Sequence, residues 1–167
     1  IGLDIGTSSV KALLVSKTGE VLKVSSPEYP FQTPRPLWAE ADPEVWWQAT
    51  KHAIVDLLRG IDPGSIAAIG LTGQMHGMVA LDASGEVLRP CIMWNDQRSH
   101  EECNEITSLV GAEKVLEITG NPVLAGFTAP KIKWMQKNEP EIFNKVSKIL
   151  LPKDYIRYRL TGEFFSD

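Results

Sequence analysis

Three strand-like phrases joined by tight turns fill residues 1–31, and this opening commits the chain to a sheet before any helix appears. Ile1, Leu3 and Ile5 alternate with Gly2 and Asp4, so the Asp4 side chain leaves the strand on the face opposite the apolar set. Gly6-Thr7-Ser8-Ser9 turns the chain. Val10–Val15 is then almost continuously apolar, broken by Lys11, which predicts a central strand buried on both faces. Lys17-Thr18-Gly19-Glu20 reverses it into a strand over Val21–Tyr29, with Gly19 at the position that wants a positive φ. The phrase Gly-Glu-Val-Leu returns at 85–88, which predicts a second similar hairpin and not a repeat array.

Residues 27–43 are a Pro-rich loop that ends in a helix start. Asp42 suits the N-cap, Pro43 the first helical position, and Glu44 the positive end of the helix dipole. Trp46, Ala49, Ala53 and Leu57 follow at helical spacing until Gly60 stops the run. Strands are predicted over Ile66–Leu71, Met78–Leu81 and Leu88–Trp94, then helices over Ser99–Val110, Glu113–Ile118, Ala129–Lys137 and Lys153–Leu160. One short strand near Lys148–Leu151 interrupts them. Strands, a crossover helix, more strands and then helices make a mixed α/β layer fold with helices packed on a sheet.

The 167 residues are enough for one domain that buries its own core, without disulfides or a structural metal. Cys91 and Cys103 have neither disulfide-scaffold nor zinc-site spacing and read as reduced thiols, which points to the cytoplasm. With 17 Lys+Arg against 21 Asp+Glu, the charge of −4 leaves no basic footprint for nucleic acid. No apolar run reaches the ~18 residues of a membrane-spanning helix. The chain opens on a strand without Met and stops at Asp167 without a terminating element, so a piece of a longer protein is expected.

Chemistry concentrates in three stretches. In the first, a carboxylate at a strand end is followed by Gly6, three hydroxyl residues and a lysine. Backbone N–H groups of Thr7, Ser8 and Ser9 can form an anion nest, with Gly6 allowing close approach. Asp4 can hold Mg²⁺ through water, and Lys11 is a point charge for phosphate oxygens. A Walker A loop is absent, and an ordinary β-turn with a solvated Asp4 fits the same residues. In the second stretch, Gly73 and Gly77 flank Gln74, Met75 and His76 at the end of a strand, where ligands dock on α/β sheets. Gln74 and His76 can bond hydroxyls and Met75 can face sugar carbons; a glycine-rich connector with a core methionine is the plainer alternative. The third, Trp94-Asn95-Asp96-Gln97-Arg98, sets an aromatic beside polar groups that can bond a sugar. Its plainer reading has Asp96 capping the next helix and Arg98 in solvent.

In this order and spacing, Asp4-Ile5-Gly6-Thr7, Leu37-Trp38-Ala39-Glu40-Ala41-Asp42-Pro43, Gly73-Gln74-Met75-His76-Gly77 and Trp94-Asn95-Asp96 resemble the N-terminal part of the FGGY carbohydrate kinases. Gly126-Phe127-Thr128-Ala129-Pro130-Lys131, Leu151-Pro152-Lys153-Asp154-Tyr155 and Thr161-Gly162-Glu163-Phe164 fit as well, so the likeness spans the chain. Within the family, the Gln-Met-His-Gly phrase is most similar to members that phosphorylate D-xylulose. The resemblance implies an actin-like, ribonuclease-H-type fold, with residues 1–167 as the sugar-binding half and the ATP-binding domain lying outside this chain. It implies ATP and Mg²⁺ as cofactors and a small sugar as partner. Asp4 then stands near metal and γ-phosphate as the catalytic carboxylate of this half, and Gly6, Thr7, Ser8, Ser9 and Lys11 attend the phosphates. Met75 and His76, with Gln74, contact substrate, and Trp94, Asn95 and Asp96 lie near the sugar pocket. The family's general base, an aspartate in a Gly-Gly-Asp-like stretch, does not occur in this sequence. A chain holding half of the clamp is expected to be inactive alone, and apolar surface left without cover favours self-association, a homodimer among its forms.

Other readings compete with this one. A kinase for ribulose, gluconate, glycerol or another polyol keeps the family and changes the substrate, and a non-catalytic actin-fold module keeps only the fold. A ribonuclease-H-like nuclease shares the strand-end acid, yet two-metal hydrolysis needs further carboxylates, and the strand ending at Thr72 runs into Gly73-Gln74.

Overall fold

The computed structural model describes residues 1–166. In chain order the elements are β1 (Gly2–Ile5), β2 (Val10–Val15), β3 (Val21–Ser25), β4 (Glu40–Ala41), α1 (Pro43–Leu58), β5 (Gly70–Gly73), β6 (Val79–Leu81), β7 (Cys91–Ile92), α2 (His100–Val110), α3 (Ala112–Thr119), α4 (Thr128–Asn138), α5 (Pro140–Phe143), β8 (Lys148–Leu150) and α6 (Pro152–Thr161). They fall into two units, one built from residues 1–31, 42–75 and the segment from 151 onward, the other from 32–41 and 76–150.

The first unit is a four-stranded sheet in the order β3-β2-β1-β5, with α1 and α6 packed on it. β1 and β2 pair antiparallel from Gly2↔Leu13 to Ile5↔Val10, and Gly6 N–H closes their turn on Ser9 O at 3.0 Å. After α1 the chain returns as β5, parallel to β1, with Gly2↔Gly70 and Ile5↔Gly73 in register. Gly73 is required there, because a Cβ would stand 2.8 Å from Ile5 O. α1 starts as the sequence predicts: the Asp42 carboxylate accepts the Glu44 N–H at 2.9 Å, and Pro43 follows the cap. Its buried stripe is Trp46, Ala49, Thr50, Ala53 and Leu57, and Gly60 beyond its end has φ +72°.

In the second unit, β4 pairs with β7 and β6 with β8, all antiparallel, and a Met78↔Ile92 bridge links the two ribbons. Met78, Ala80, Ile92, Trp134 and Met135 form the buried core, with Trp38, Phe143 and Ile149 packed at its margin. α4 packs against both α2 and α5.

Several expectations need correction. Residues 66–71 do not form the buried strand; β5 begins at Gly70, where pairing with β1 becomes possible, and Ile69 is exposed. Asp62-Pro63-Gly64-Ser65 turns first, with Gly64 N–H donating to Asp62 Oδ1 at 3.0 Å. β2 is central in the sheet but not buried on both faces: its side chains alternate, with Val10, Ala12 and Leu14 inside and Lys11 and Val15 outside. β3 stops at Ser25, before Pro27, which has no N–H for the ladder, and a single Ser9↔Glu28 bridge continues the pairing. The Pro-rich loop contains β4, and Leu88–Trp94 keeps only Cys91–Ile92 as strand after Pro90. Both Gly-Glu-Val-Leu phrases do form hairpin turns, with Gly19 at φ +88° and Gly85 at φ +86°. Trp46, on the predicted apolar stripe of α1, is fully buried, and Trp134 on α4 is buried as well.

Candidate functional site

The first unit gathers its predicted residues at one end of the sheet. Asp4 on β1 lies between Lys11 on β2 and Thr72 on β5, its register partners, and all three are exposed. They form one polar row across three strands. Just beyond, Gly6 O accepts two hydrogen bonds, from Tyr29 Oη at 2.7 Å and from Gln74 Nε2 at 2.9 Å. A Cβ on Gly6 would meet Ser9 O at 3.0 Å, so the turn has little room for any other residue. Ser8 O accepts the Tyr29 N–H at 2.9 Å, and Val10 N–H reaches Pro27 O at 3.1 Å, so the 6–9 turn is braced by the 27–29 segment. Burial, and then the Asp4 charge, push the Tyr29 phenol well above its ordinary pKa, so it stays a neutral donor.

Gln74 continues this end of the sheet. Its N–H donates to Ile5 O at 2.8 Å, its side chain is buried, and its Oε1 has no partner. Met75 follows at 55% exposure, too open for the core role that the plainer reading gives it.

In the second unit, His76 has φ +57°, a left-handed backbone that non-glycine residues seldom adopt. Its ring lies against Phe127, with centroids 4.3 Å apart. His76 O accepts from Lys131 Nζ at 2.9 Å and from Thr128 Oγ1 at 3.2 Å. Burial, then the Lys131 charge, hold the His76 imidazole below its ordinary pKa and favour the neutral ring.

Trp94 is 38% exposed, and a Cβ on Gly126 would stand 2.7 Å from Trp94 O, so residues 126–131 touch both the His76 and the Trp94 segments. Asn95 is half-buried with its Oδ1 unpartnered. Asp96 is fully buried: one oxygen takes Ala39 N–H at 2.6 Å, and both take the Arg98 guanidinium at 2.8–3.0 Å. Arg98 is therefore not in solvent, and Asp96 does not cap α2, whose N-cap is Ser99. Arg98 also pairs with Glu40 at 2.7 Å and lies 3.6 Å over the Trp38 ring, while Arg89 joins Glu40 to Glu139.

Read from the residues alone, the sequence gives no role to Tyr29, Phe127 or Lys131, and it takes Arg98 either as one of the polar groups that can bond a sugar or as a solvated cation. The 126–131 phrase enters only through resemblance, and a lysine in the first turn of a helix looks solvent-exposed until the fold buries it. No group of three or more His, Cys, Asp or Glu among the described residues can cage a metal. A lone exposed Asp4 fits an ion that keeps its waters and draws other ligands from phosphate oxygens, as Mg²⁺ does.

The sequence pattern of the FGGY family of carbohydrate kinases, N-terminal domain, matches residues 1–167. The chain belongs to that family. It is 49% identical over 167 residues to a xylulose kinase from Escherichia coli (strain K12), covering all of this chain and 34% of the relative. Among solved structures, one described as a xyloylose kinase from Brucella ovis superposes with a TM-score of 0.91 at 47% identity, over 97% of this chain and 34% of the other. A xylulose kinase from Rhodospirillum rubrum gives a TM-score of 0.94 at 35% identity, over 99% of this chain and 34% of that one. The chain thus spans about a third of the length of the curated relatives it matches. Its fold is the actin-like ATPase fold of these sugar kinases, as the family resemblance implies.

Proposed function

We propose that this chain is the sugar-binding part of an ATP-dependent xylulokinase, which transfers the γ-phosphate of ATP to D-xylulose to give D-xylulose 5-phosphate. The observation that carries this is the parallel register of β1 and β5 with the Gln74–Gly6 hydrogen bond. It supports a common place for the acidic Asp4–Ser9 turn and the Gln74-Met75 tip at one end of one sheet. Open α/β sheets bind ligands at such strand ends. The relatives named as xylulose kinases support this sugar over ribulose, gluconate or glycerol.

In this reading Asp4 would hold Mg²⁺ through water, and Gly6, Thr7, Ser8, Ser9 and Lys11 would attend the phosphate oxygens. Bound Mg²⁺ neutralises charge on the triphosphate. Met75 offers an apolar wall to sugar carbons, and neutral His76 bonds a hydroxyl. Gln74 fixes the turn through its bond to Gly6 O and stands as a further candidate for sugar contact. In the second unit Trp94, Asn95 and Asp96 are further candidates for sugar contact, the Asp96 carboxylate being held by Ala39 N–H and the Arg98 guanidinium. The sugar hydroxyl oxygen bonds to the γ-phosphorus as the bond to the β,γ-bridging oxygen breaks, and ADP leaves. The hydroxyl proton passes to a carboxylate base outside these residues. A cytoplasmic place suits two free thiols at Cys91 and Cys103, and no described helix is long and apolar enough to cross a membrane. Exposed Val21, Leu22 and Val24 on edge strand β3 support self-association as a homodimer, which light scattering across concentrations would reveal.

A substrate panel on the complete gene product tests the reading, with Met75→Ala and Asp4→Asn made in parallel. D-xylulose is expected to be preferred. Met75→Ala should raise its KM about tenfold, and Asp4→Asn should lower kcat by at least ~100-fold. Preference for another polyol moves the assignment within the family, and full activity in both variants sinks the site.

A further inference from the structure

The geometry points to Lys131 as the positioning residue that shapes the sugar site, by holding the backbone of His76 in its left-handed conformation without touching the ligand; the inference rests on the reading of His76 given above. A side chain in that region clashes with its own backbone, and the conformation persists only where the surroundings impose it. Here the constraint is visible. His76 O receives the Lys131 ammonium at 2.9 Å and the Thr128 hydroxyl at 3.2 Å. The same ammonium donates to Gly126 O at 2.6 Å, and Gly126 is the residue on which Trp94 O closes. One cation therefore ties the His76 tip to the segment that meets Trp94.

Lys131 is badly placed for any simpler purpose. Its residue has no exposed surface, and among the described residues it makes no ion pair. It sits in the first turn of α4, where the helix dipole disfavours positive charge. A methionine would fill the volume without burying a cation. The two carbonyls are what a lysine supplies for and a methionine cannot. Phe127 completes the hold by packing on the imidazole, so ring and backbone are fixed from the same six-residue phrase.

The test uses the complete gene product with D-xylulose and ATP. Lys131→Met should raise the KM for D-xylulose about tenfold and leave the KM for ATP within about twofold, since an orphaned buried acceptor costs that much at the site it shaped. Thr128→Val removes the second donor and should raise the sugar KM about threefold with ATP again unaffected. His76→Ala is the control. A raised sugar KM in His76→Ala with unchanged values in Lys131→Met and Thr128→Val overturns the inference and spares the functional reading. An unchanged sugar KM in His76→Ala overturns both. Equal losses toward sugar and ATP mean general damage and also overturn it. Where Lys131→Met does not fold, Thr128→Val decides alone by the same sugar-against-ATP criterion.

Discussion

At the residue scale, the decisive chemistry is carried by groups whose surroundings differ from what their type suggests. Asp4 keeps the exposed face, opposite the apolar set, that strand alternation assigns it, because a period of two fixes the face before anything else is known. Lys131 is the opposite case. Burial pushes its ammonium from 10.5 down to about 8, against smaller opposing effects of Cys91 and Asp96 and a further lowering by Arg98. The sign of the resulting pH dependence follows directly. Below about pH 8 both folded and unfolded chains carry the charge, and the folded chain bears the cost of burying it. As pH rises from there toward the unfolded value, the folded chain has released its proton while the unfolded chain keeps it, so this group makes folding more favourable. The neutral amine retains two N–H groups, enough for both carbonyls. His76 is held below its usual value and titrates below that window. Cys91, pushed up to about 12 in the folded chain, releases its proton first in the unfolded chain and disfavours folding toward pH 10, but it does so in wild type and in Lys131→Met alike, so it drops out of the comparison. Urea unfolding at pH 7.5 and 10 should therefore show wild type gaining about 1–3 kcal/mol relative to Lys131→Met at the higher pH. No relative gain, or a loss, would mean that the lysine is not held in the charged, desolvated state.

At the scale of elements, what could be read from the sequence depended on whether the signal was local. α1 was legible from both ends because its cap, first proline, apolar stripe and terminal glycine all lie within one stretch of chain. The two Gly-Glu-Val-Leu hairpins were legible for the same reason, since each turn is closed by its own residues around a positive-φ glycine. β4 and β7 were not: two-residue strands have no periodicity, and their pairing of Glu40 with Ile92 depends on residues far apart in sequence. The start of β5 is not local either: an apolar run looks like a strand from Ile66 onward, and only pairing with Gly2 fixes its beginning at Gly70. The loop after β7 hides its partners for a related reason. Asp96 and Arg98 look like a helix cap and a solvated cation until Glu40, Ala39 and Trp38 arrive from the other side of the sequence. That buried cluster gives a test of which ion pairs matter. Arg98→Met leaves the fully buried Asp96 carboxylate without its cation and should cost about 3–5 kcal/mol. Arg59→Met removes a pair to Asp56 in which the arginine side chain is 74% exposed, and should cost less than about 1 kcal/mol. Thermal melts of the two variants side by side check this, and comparable losses would mean the cluster does not hold the loop.

For the whole molecule, the question is how much of a phosphoryl transfer these residues can perform. Phosphoryl transfer is mostly positioning and charge neutralisation, and it needs the nucleophile, the metal-bound triphosphate and a proton acceptor held together. The proposed site supplies the first contacts of two of these: an acidic turn for metal and phosphates, and a Gln-Met-His tip with its supporting lysine for the sugar. For the third, the proposed site assigns no residue. No Gly-Gly-Asp-like stretch occurs in the 167 residues, and Asp96 and Asp154, the buried aspartates, are engaged by Arg98 and by Lys153 and Ser166 respectively. Glu40 is likewise tied to two arginines. In the proposed reading Asp4 serves the magnesium ion, which leaves the proton acceptor to another residue. Residues 1–167 alone, given ATP, Mg²⁺ and D-xylulose, should therefore release ADP no faster than the same residues carrying Asp4→Asn, while still binding the sugar. A coupled ADP assay with isothermal calorimetry separates the two outcomes. Binding without turnover is what a sugar half with no base must give, whereas turnover above the Asp4→Asn blank would require a proton acceptor among the side chains assigned here to support, with Asp96 and Glu40 the first to re-examine.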